Sequence, residues 1–298
     1  MISILICSVN PGYLQRVSDN ISQTIGVDYE LLVQDNRKEN QPICKVYNQL
    51  AAQSKFSYLL FLHEDVAFQT INWGKLLLDQ LTNHNQRGVV GIAGSAYKSV
   101  IPSGWFTGLK DKDYFNIVHD DKGKIKKIRD EHDPAMIAAN VKVLDGVFLA
   151  CNKSVWEDIR FNDDLLKGFH FYDIDFSLRA SKKYKNIVMR NIDLIHYTKG
   201  GDFGEPWVKA AFIFHCKYNK WLFGPDHFTS FANDRVVFVS WLNLLKNEKI
   251  HLSSRLKWIY IQRKCISFHN LYEVIRFLIY RPLGLYKLHA ILKTATDE

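Results

Sequence analysis

Five large residues, Tyr58-Leu59-Leu60-Phe61-Leu62, run directly into His63-Glu64-Asp65. An apolar run of this length is too short to span a membrane and suits a buried strand. Its apolar character stops abruptly where two adjacent carboxylates appear. In an open α/β sheet, ligands bind beyond the carboxyl ends of the strands. A Glu-Asp pair in that place suits a hard cation, and a cation holds phosphate. The plain alternative is an acidic strand-to-helix turn in which Asp65 caps the next helix.

The stretches around this run alternate between strand and helix character. Residues 2–7 and 29–33 read as strands, the first ended by Ser8 and Asn10 and the second by Gln34-Asp35-Asn36. Helical spacing follows over 13–25, over 43–54 after Pro42, and over 73–83, before a fourth strand at 89–93. Such βα units imply an α/β fold with a Rossmann-like, mostly parallel sheet and helices on both faces. The order loosens over 94–142, a long excursion with room for a hairpin. Strand character returns at 143–151 around Asp145-Gly146. Short helices are expected at 154–159 and 176–184, short strands at 187–189 and 194–195, and a further helix at 207–221. Neither a GxGxxG after the first strand nor a Walker loop occurs, which argues against dinucleotide and P-loop proteins.

Composition narrows the class further. The chain has 298 residues, 47% hydrophobic and 23% charged, an ordinary globular balance. No signal peptide or membrane-length run is apparent, and five scattered cysteines suggest neither a disulfide framework nor a metal knuckle, so a cytoplasmic location is expected. The net charge of +8 is concentrated at the end: residues 249–298 carry nine Lys/Arg against three Asp/Glu. The tail after Pro225 carries Trp241, Leu242, Leu244 and Leu245, then Leu256, Trp258, Ile259 and Ile261, amid lysines and arginines. Most of these apolar residues are expected to lie against the α/β domain or a second protomer of a homodimer. The functional alternative is peripheral contact with the inner face of a membrane. No nucleic-acid partner is expected, because the apolar spacing resembles a core more than a stacking platform.

Three polar points call for a common explanation: His63-Glu64-Asp65, Asp173 with Asp175, and His196. Mg²⁺ or Mn²⁺ takes oxygen ligands, and Mn²⁺ tolerates imidazole, so Asp65 and His196 are candidate metal ligands. Asp173 is then left for general-base work. The structural alternatives are a helix N-cap at Asp173 or, better, Asp175, a structural histidine at His196, and a turn shaped by Asp35 and Asn36.

Taken together these segments resemble the GT-A glycosyltransferases, in particular the inverting family 2 enzymes and a bacterial capsule and surface-polysaccharide subgroup. Glu64-Asp65 resembles their DxD-type motif, Asp145-Gly146-Val147-Phe148-Leu149-Ala150 their acceptor-side strand, and Tyr172-Asp173-Ile174-Asp175-Phe176-Ser177-Leu178-Arg179 their Glu-Asp-x-Asp-Leu-x-Leu-Arg segment. Asp35-Asn36-Arg37, Trp73-Gly74 and Ile101-Pro102-Ser103-Gly104-Trp105 add to the likeness, which covers residues 2–220. Two positions depart from the pattern: His63 stands at the first acidic position of the metal motif, and Tyr172 replaces the usual Glu before the base.

The resemblance implies a GT-A catalytic domain over 1–224, with a nucleotide-binding half (1–98) and an acceptor-side half (99–224), and a helical C-terminal extension over 225–298. It implies metal-assisted transfer of a sugar from a nucleotide-sugar donor, UDP-linked, to a saccharide or lipid-linked acceptor with inversion. It assigns Asp173 as base, Asp65 and His196 as ligands of Mn²⁺ or Mg²⁺, and Ser8, Asn10, Asp35, Asn36 and Glu64 to the nucleotide. Trp105, Asp145, Gly146 and Tyr172 fall to the sugar and acceptor. A sugar-phosphate nucleotidyltransferase is the alternative one class away, but 8–13 lacks the basic Gly-rich loop it would need. A non-catalytic carbohydrate- or nucleotide-binding protein is the other.

Overall fold

Strand β1 (Ile2–Ser8) is buried along almost its whole length, which requires strands on both sides and helices on both faces. The computed structural model describes residues 1–82, 86–121, 123–198, 203–222 and 230–280. In it, β1 lies between β2 (Tyr29–Asp35) and β3 (Tyr58–Leu62), parallel to both. The crossovers are α1 (Pro11–Thr24) and α2 (Ile43–Gln53). Asn10 starts α1 by accepting from the amides of Gly12 and Tyr13, and Pro11 stands in the first turn, where a missing N–H costs nothing.

Beyond β3 the chain makes a short strand β4 (Val66–Phe68) before α3 (Trp73–Thr82), so Asp65 does not cap a helix. Next come β5 (Arg87–Gly91), β6 (Ala93–Ser95), the hairpin β7 (Asp113–Asp121) and β8 (Lys124–Arg129), β9 (Ala138–Val141), β10 (Val143–Leu144) and β11 (Phe148–Asn152). They are followed by α4 (Lys153–Ile159), α5 (Tyr172–Ala180), β12 (Lys185–Met189) and β13 (Leu194–His196).

The main sheet runs β2-β1-β3-β11-β5-β12-β9. Its first half is parallel, as the βα rhythm requires. Strand β11 then enters antiparallel to both β3 and β5, and β9 antiparallel to β12, so the sheet as a whole is mixed. A second sheet, β10-β6-β7-β13-β4 with β8 beside β7, is antiparallel except at β7/β13.

Helix α5 begins four residues earlier than its expected start at 176. Phe171 precedes it in the left-handed region (φ 67), an uncommon conformation for a non-glycine residue, held here by burial of the ring. Asp173 and Asp175 therefore lie inside the first turn, where carboxylates suit the helix dipole, and neither is the N-cap. Asp175 is fully buried against Arg179, with Oδ2 2.8 Å from Nε and 2.6 Å from Nη2. The same guanidinium holds the carbonyls of Ile159 and Arg160.

These strands and helices belong to one compact unit, Met1–Lys98 with Lys110–Gly201; a second comprises Ser99–Leu109 and Asp202–Glu298. The second contains α6 (Glu205–Leu222), α7 (Phe231–Leu245), α8 (Leu252–Ile261) and α9 (Leu271–Ile279). Helix α6 thus groups with the C-terminal helices. Two indoles pin the 99–109 segment there: Trp241 Nε1 donates to the Phe106 carbonyl (2.9 Å) and Trp258 Nε1 to that of Pro102 (3.1 Å). Trp207 stacks on Trp241 at 4.6 Å, and Gly104 lets the loop approach that pair closely. Arg255, fully buried, holds the carbonyls of Leu245 and Lys246 at the end of α7 and that of Phe277 in α9. Of the apolar residues noted in this stretch, Trp241, Leu242, Leu245 and Trp258 are buried, whereas Leu244, Leu256 and Ile261 are exposed.

Candidate active site

Two strand registers assemble the site. Antiparallel pairing of β3 and β11 sets Leu62 opposite Phe148, and the His63 amide donates to the Val147 carbonyl (3.2 Å). This brings Asp145-Gly146-Val147 alongside His63. Antiparallel pairing of β4 and β13 sets Val66 opposite His196, and the Tyr197 amide donates to the Asp65 carbonyl (2.8 Å). This brings His196 to Asp65, 131 positions earlier in the chain.

The result is a cluster of two imidazoles and a carboxylate. His196 Nε2 lies 3.3 Å, and His63 Nδ1 3.9 Å, from Asp65 Oδ1. One donor atom from each of His63, Asp65 and His196 lies within 4.8 Å of the others. Burial works to raise the Asp65 pKa, but the hydrogen bond and positive potential of His196, with that of His63, hold it below the usual value. Burial pushes His63 the other way, toward the neutral imidazole. An ionised carboxylate and a neutral imidazole are the states a divalent cation requires, so this donor set fits Mn²⁺. His63, read from sequence only as a departure at an acidic position, is the third donor. The available signal was the residue type itself, since imidazole also ligates.

A hydrogen-bonded chain joins this cluster to Asp173. His63 Nε2 lies 2.8 Å from the Tyr172 hydroxyl, and that hydroxyl donates to the Gly146 carbonyl (3.1 Å). The Gly146 amide in turn donates to Asp173 Oδ2 (3.0 Å). With Tyr172 donating to Gly146, His63 donates from Nε2 and keeps its Nδ1 lone pair toward Asp65. A β-carbon at position 146 would overlap the Tyr172 hydroxyl, so close approach of this backbone depends on glycine. The Tyr172 ring is held by Tyr47 and Phe161, and Phe161 stacks on Phe176 at 4.3 Å. Burial, and secondarily the negative charge of Asp145, raise the Asp173 pKa to about 7 despite three opposing backbone hydrogen bonds. A carboxylate tuned to that range suits proton abstraction. Asp145 itself accepts from the Val147 amide (2.8 Å).

Glu64 is used differently from its neighbours. Its carboxylate accepts from Ser8 Oγ (2.6 Å), from the Val9 amide (3.0 Å) and from the Asn10 amide (3.0 Å). It thereby braces the turn between β1 and α1, while the Asn10 side chain caps α1. Asn36 is buried and closes a loop with Gln41 through two hydrogen bonds, and its own amide donates to the Ser8 carbonyl (2.7 Å). Asp35 stands exposed with Arg37, whose guanidinium beside it holds the Asp35 pKa down at about 2. Trp105 lies on the 99–109 segment of the second unit. Gly200 and Gly201, which follow His196, lie outside the described residues.

Replacing Glu64 with Ala leaves the Ser8 hydroxyl and two amides without their acceptor. Hydrogen bonds to a charged group contribute about 1.5–3 kcal/mol each. With partial compensation by water, Glu64→Ala is expected to cost on the order of 3 kcal/mol, read as a lower denaturation midpoint. An unchanged midpoint would show that the brace carries no weight.

The profile of the glycosyltransferase-like family matches residues 3–220, well over half of the chain. No curated protein matches the chain in sequence. Among solved structures, the crystal structure of GalNAc-T7 with UDP, GalNAc and Mn²⁺ superposes with a TM-score of 0.51 at 10% identity. That match covers 94% of this chain and 57% of the other, so this chain spans little more than half of its length. At such identity the likeness concerns the fold, which is that of the GT-A enzymes. A197 from STIV matches over 66% of this chain and 86% of its own, at 15% identity and a TM-score of 0.38.

Proposed function

Because the chain belongs to the glycosyltransferase-like family, we propose that it transfers a sugar from a UDP-linked donor to an acceptor hydroxyl with inversion, assisted by Mn²⁺ or Mg²⁺. The acceptor is a saccharide or a lipid-linked glycan of surface-polysaccharide or glycoconjugate synthesis. One observation carries the reading: a carboxylate with a pKa of about 7, Asp173, is linked through Gly146 and Tyr172 to a three-donor cluster that suits a divalent cation.

His63, Asp65 and His196 would hold the cation, which supplies positive charge to the departing diphosphate. Asp173 takes the proton of the attacking hydroxyl as the new glycosidic bond forms and the bond from the anomeric carbon to the diphosphate oxygen breaks. A single base acting on the face opposite the leaving group gives inversion, by the geometry that separates the two classes of glycosidase. Tyr172 and Gly146 fix the base, and Asp145 raises its pKa. The turn at Ser8 and Asn10, braced by Glu64, with Asp35 and Asn36, forms the nucleoside side, where Asp35 or nearby backbone accepts from a uracil N–H.

The test is UDP release from a panel of UDP-sugars, with and without acceptor glycans and Mn²⁺. Acceptor-stimulated, metal-dependent UDP release with a β-linked product from an α-linked donor is expected. Formation of a nucleotide-sugar from a sugar phosphate would replace this reading with nucleotidyl transfer. Tight UDP binding without turnover on any donor would leave a binding protein.

A further inference from the structure

The helical unit exposes more apolar surface than its packing needs. Helix α8 is anchored by Trp258, which stacks on Phe238 at 5.4 Å and meets Phe277 of α9. Helix α9 is anchored by Val274 and Phe277. Each helix then carries a second apolar stripe on its outer side: Leu252, Leu256 and Tyr260 on α8, and Leu271, Ile275 and Ile279 on α9. Both stripes repeat at i, i+4 and i+8, the spacing of one helix face. Phe268, between the two helices in sequence, is 90% exposed, and Tyr272 of α9 is 68% exposed. Exposed apolar side chains in this density mark an interaction surface.

The charges on the same segment discriminate among occupants. Lys257, Arg263, Lys264 and Arg276 accompany these residues between positions 252 and 280, against a single acid, Glu273. A second copy paired about a two-fold axis would set this positive face against itself. An anionic bilayer offers both complements, acyl chains for the aromatic and aliphatic residues and acidic headgroups for the cations. No helix among the described residues is long and apolar enough to cross a membrane, so the contact is interfacial.

A cavity opens in the same place. About the turn 261–265 lies a pocket of 610 Å³, walled by Ile101, Pro102, Phe212 and Phe231 and edged by Lys257 and Arg263. Gln262 lines it and is 4% exposed; its Nε2 donates to the Trp258 carbonyl (2.9 Å), whereas its Oε1 is buried with no hydrogen-bond partner. The pocket lining also holds Asp234 and His215, and a buried acceptor needs a hydrogen-bond donor, so the pocket does not suit a hydrocarbon chain.

We infer that the outer apolar face from Leu252 to Ile279 lies on an anionic lipid surface. This contact is separate from sugar transfer and is tested without it. The full chain is sedimented with vesicles of phosphatidylcholine alone and of phosphatidylcholine with phosphatidylglycerol. Partition into the anionic vesicles is expected to be at least about tenfold stronger and to weaken with salt. Phe268→Glu with Tyr272→Glu is expected to reduce it by about tenfold or more; both side chains are exposed, so melting temperature and circular dichroism should not move. Arg263→Glu with Lys264→Glu is expected to remove the preference for anionic vesicles. Equal partition into both vesicle types, or none, overturns the inference. So does a Phe268/Tyr272 double variant that turns a dimer into a monomer in light scattering while vesicle binding is unchanged, because the face then belongs to a second copy.

Discussion

Asp173→Asn is expected to lower kcat for sugar transfer by about 10²- to 10⁴-fold, the range a positioned general base supplies, while leaving the donor KM nearly unchanged. The substitution removes the basic oxygen but keeps the size of the side chain. The pH profile adds a second readout. Burial, followed by Asp145, holds the wild-type carboxyl at about 7, so the rate should climb as pH passes through that value and level off above it. The residual rate of the variant should lack that inflection. Stability should respond with the opposite sign. The folded pKa lies above the ordinary value of 3.8, so the folded state keeps a proton that the unfolded state has released. The stability this group contributes is greatest below about 3.8 and is lost as pH rises through about 7. Thermal midpoints of both proteins should therefore shift in favour of Asp173→Asn between about pH 4 and pH 8. Full transfer rate in the variant, or a gap between midpoints that does not vary with pH, would remove Asp173 from its role.

The N-terminal half was legible because its signals are local. The run 58–62 is apolar on both faces and ends in charge, and Pro42 marks a helix start through its own backbone chemistry; Asn10 and Pro11, expected to form a turn before a helix at 13, instead cap and open α1. Where the halves of the site meet depends on register, which no local pattern states. Nothing in 143–151 says that β11 will enter antiparallel between β3 and β5, yet that pairing sets Gly146 beside His63. The start of α5 was misplaced because Phe171 takes a left-handed conformation that its side chain gives no reason to expect. Two adjacent carboxylates also look alike in sequence, while the bend that joins β3 to β4 turns them apart. His63 and Asp65 share a side toward His196, while Glu64 turns to the end of β1.

That division of roles makes the metal cluster the second test. EDTA is expected to lower the transfer rate by about a thousandfold, because a cation at a leaving diphosphate supplies several kcal/mol of transition-state stabilisation; added Mn²⁺ should restore it. Two imidazoles and one carboxylate favour Mn²⁺ over Mg²⁺, so Mn²⁺ should support faster transfer at equal concentration. Disturbing the partner of a ligand costs about 10- to 100-fold in metal affinity, and removing a ligand costs more. His196→Ala is therefore expected to weaken Mn²⁺ binding in the presence of UDP by more than about a hundredfold, measured from the free-ion signal in electron paramagnetic resonance. His63→Ala separates the two roles of its ring. If His63 ligates through Nδ1 while Nε2 holds Tyr172, the variant loses Mn²⁺ affinity and catalytic rate together. If it only supports Tyr172, the rate falls while Mn²⁺ binding stays, and the cation rests on Asp65 and His196 alone. Activity indifferent to EDTA, with Mn²⁺ bound equally by all three proteins, would mean that the cluster serves the fold through its Asp65–His196 contact and that the diphosphate leaves without a metal.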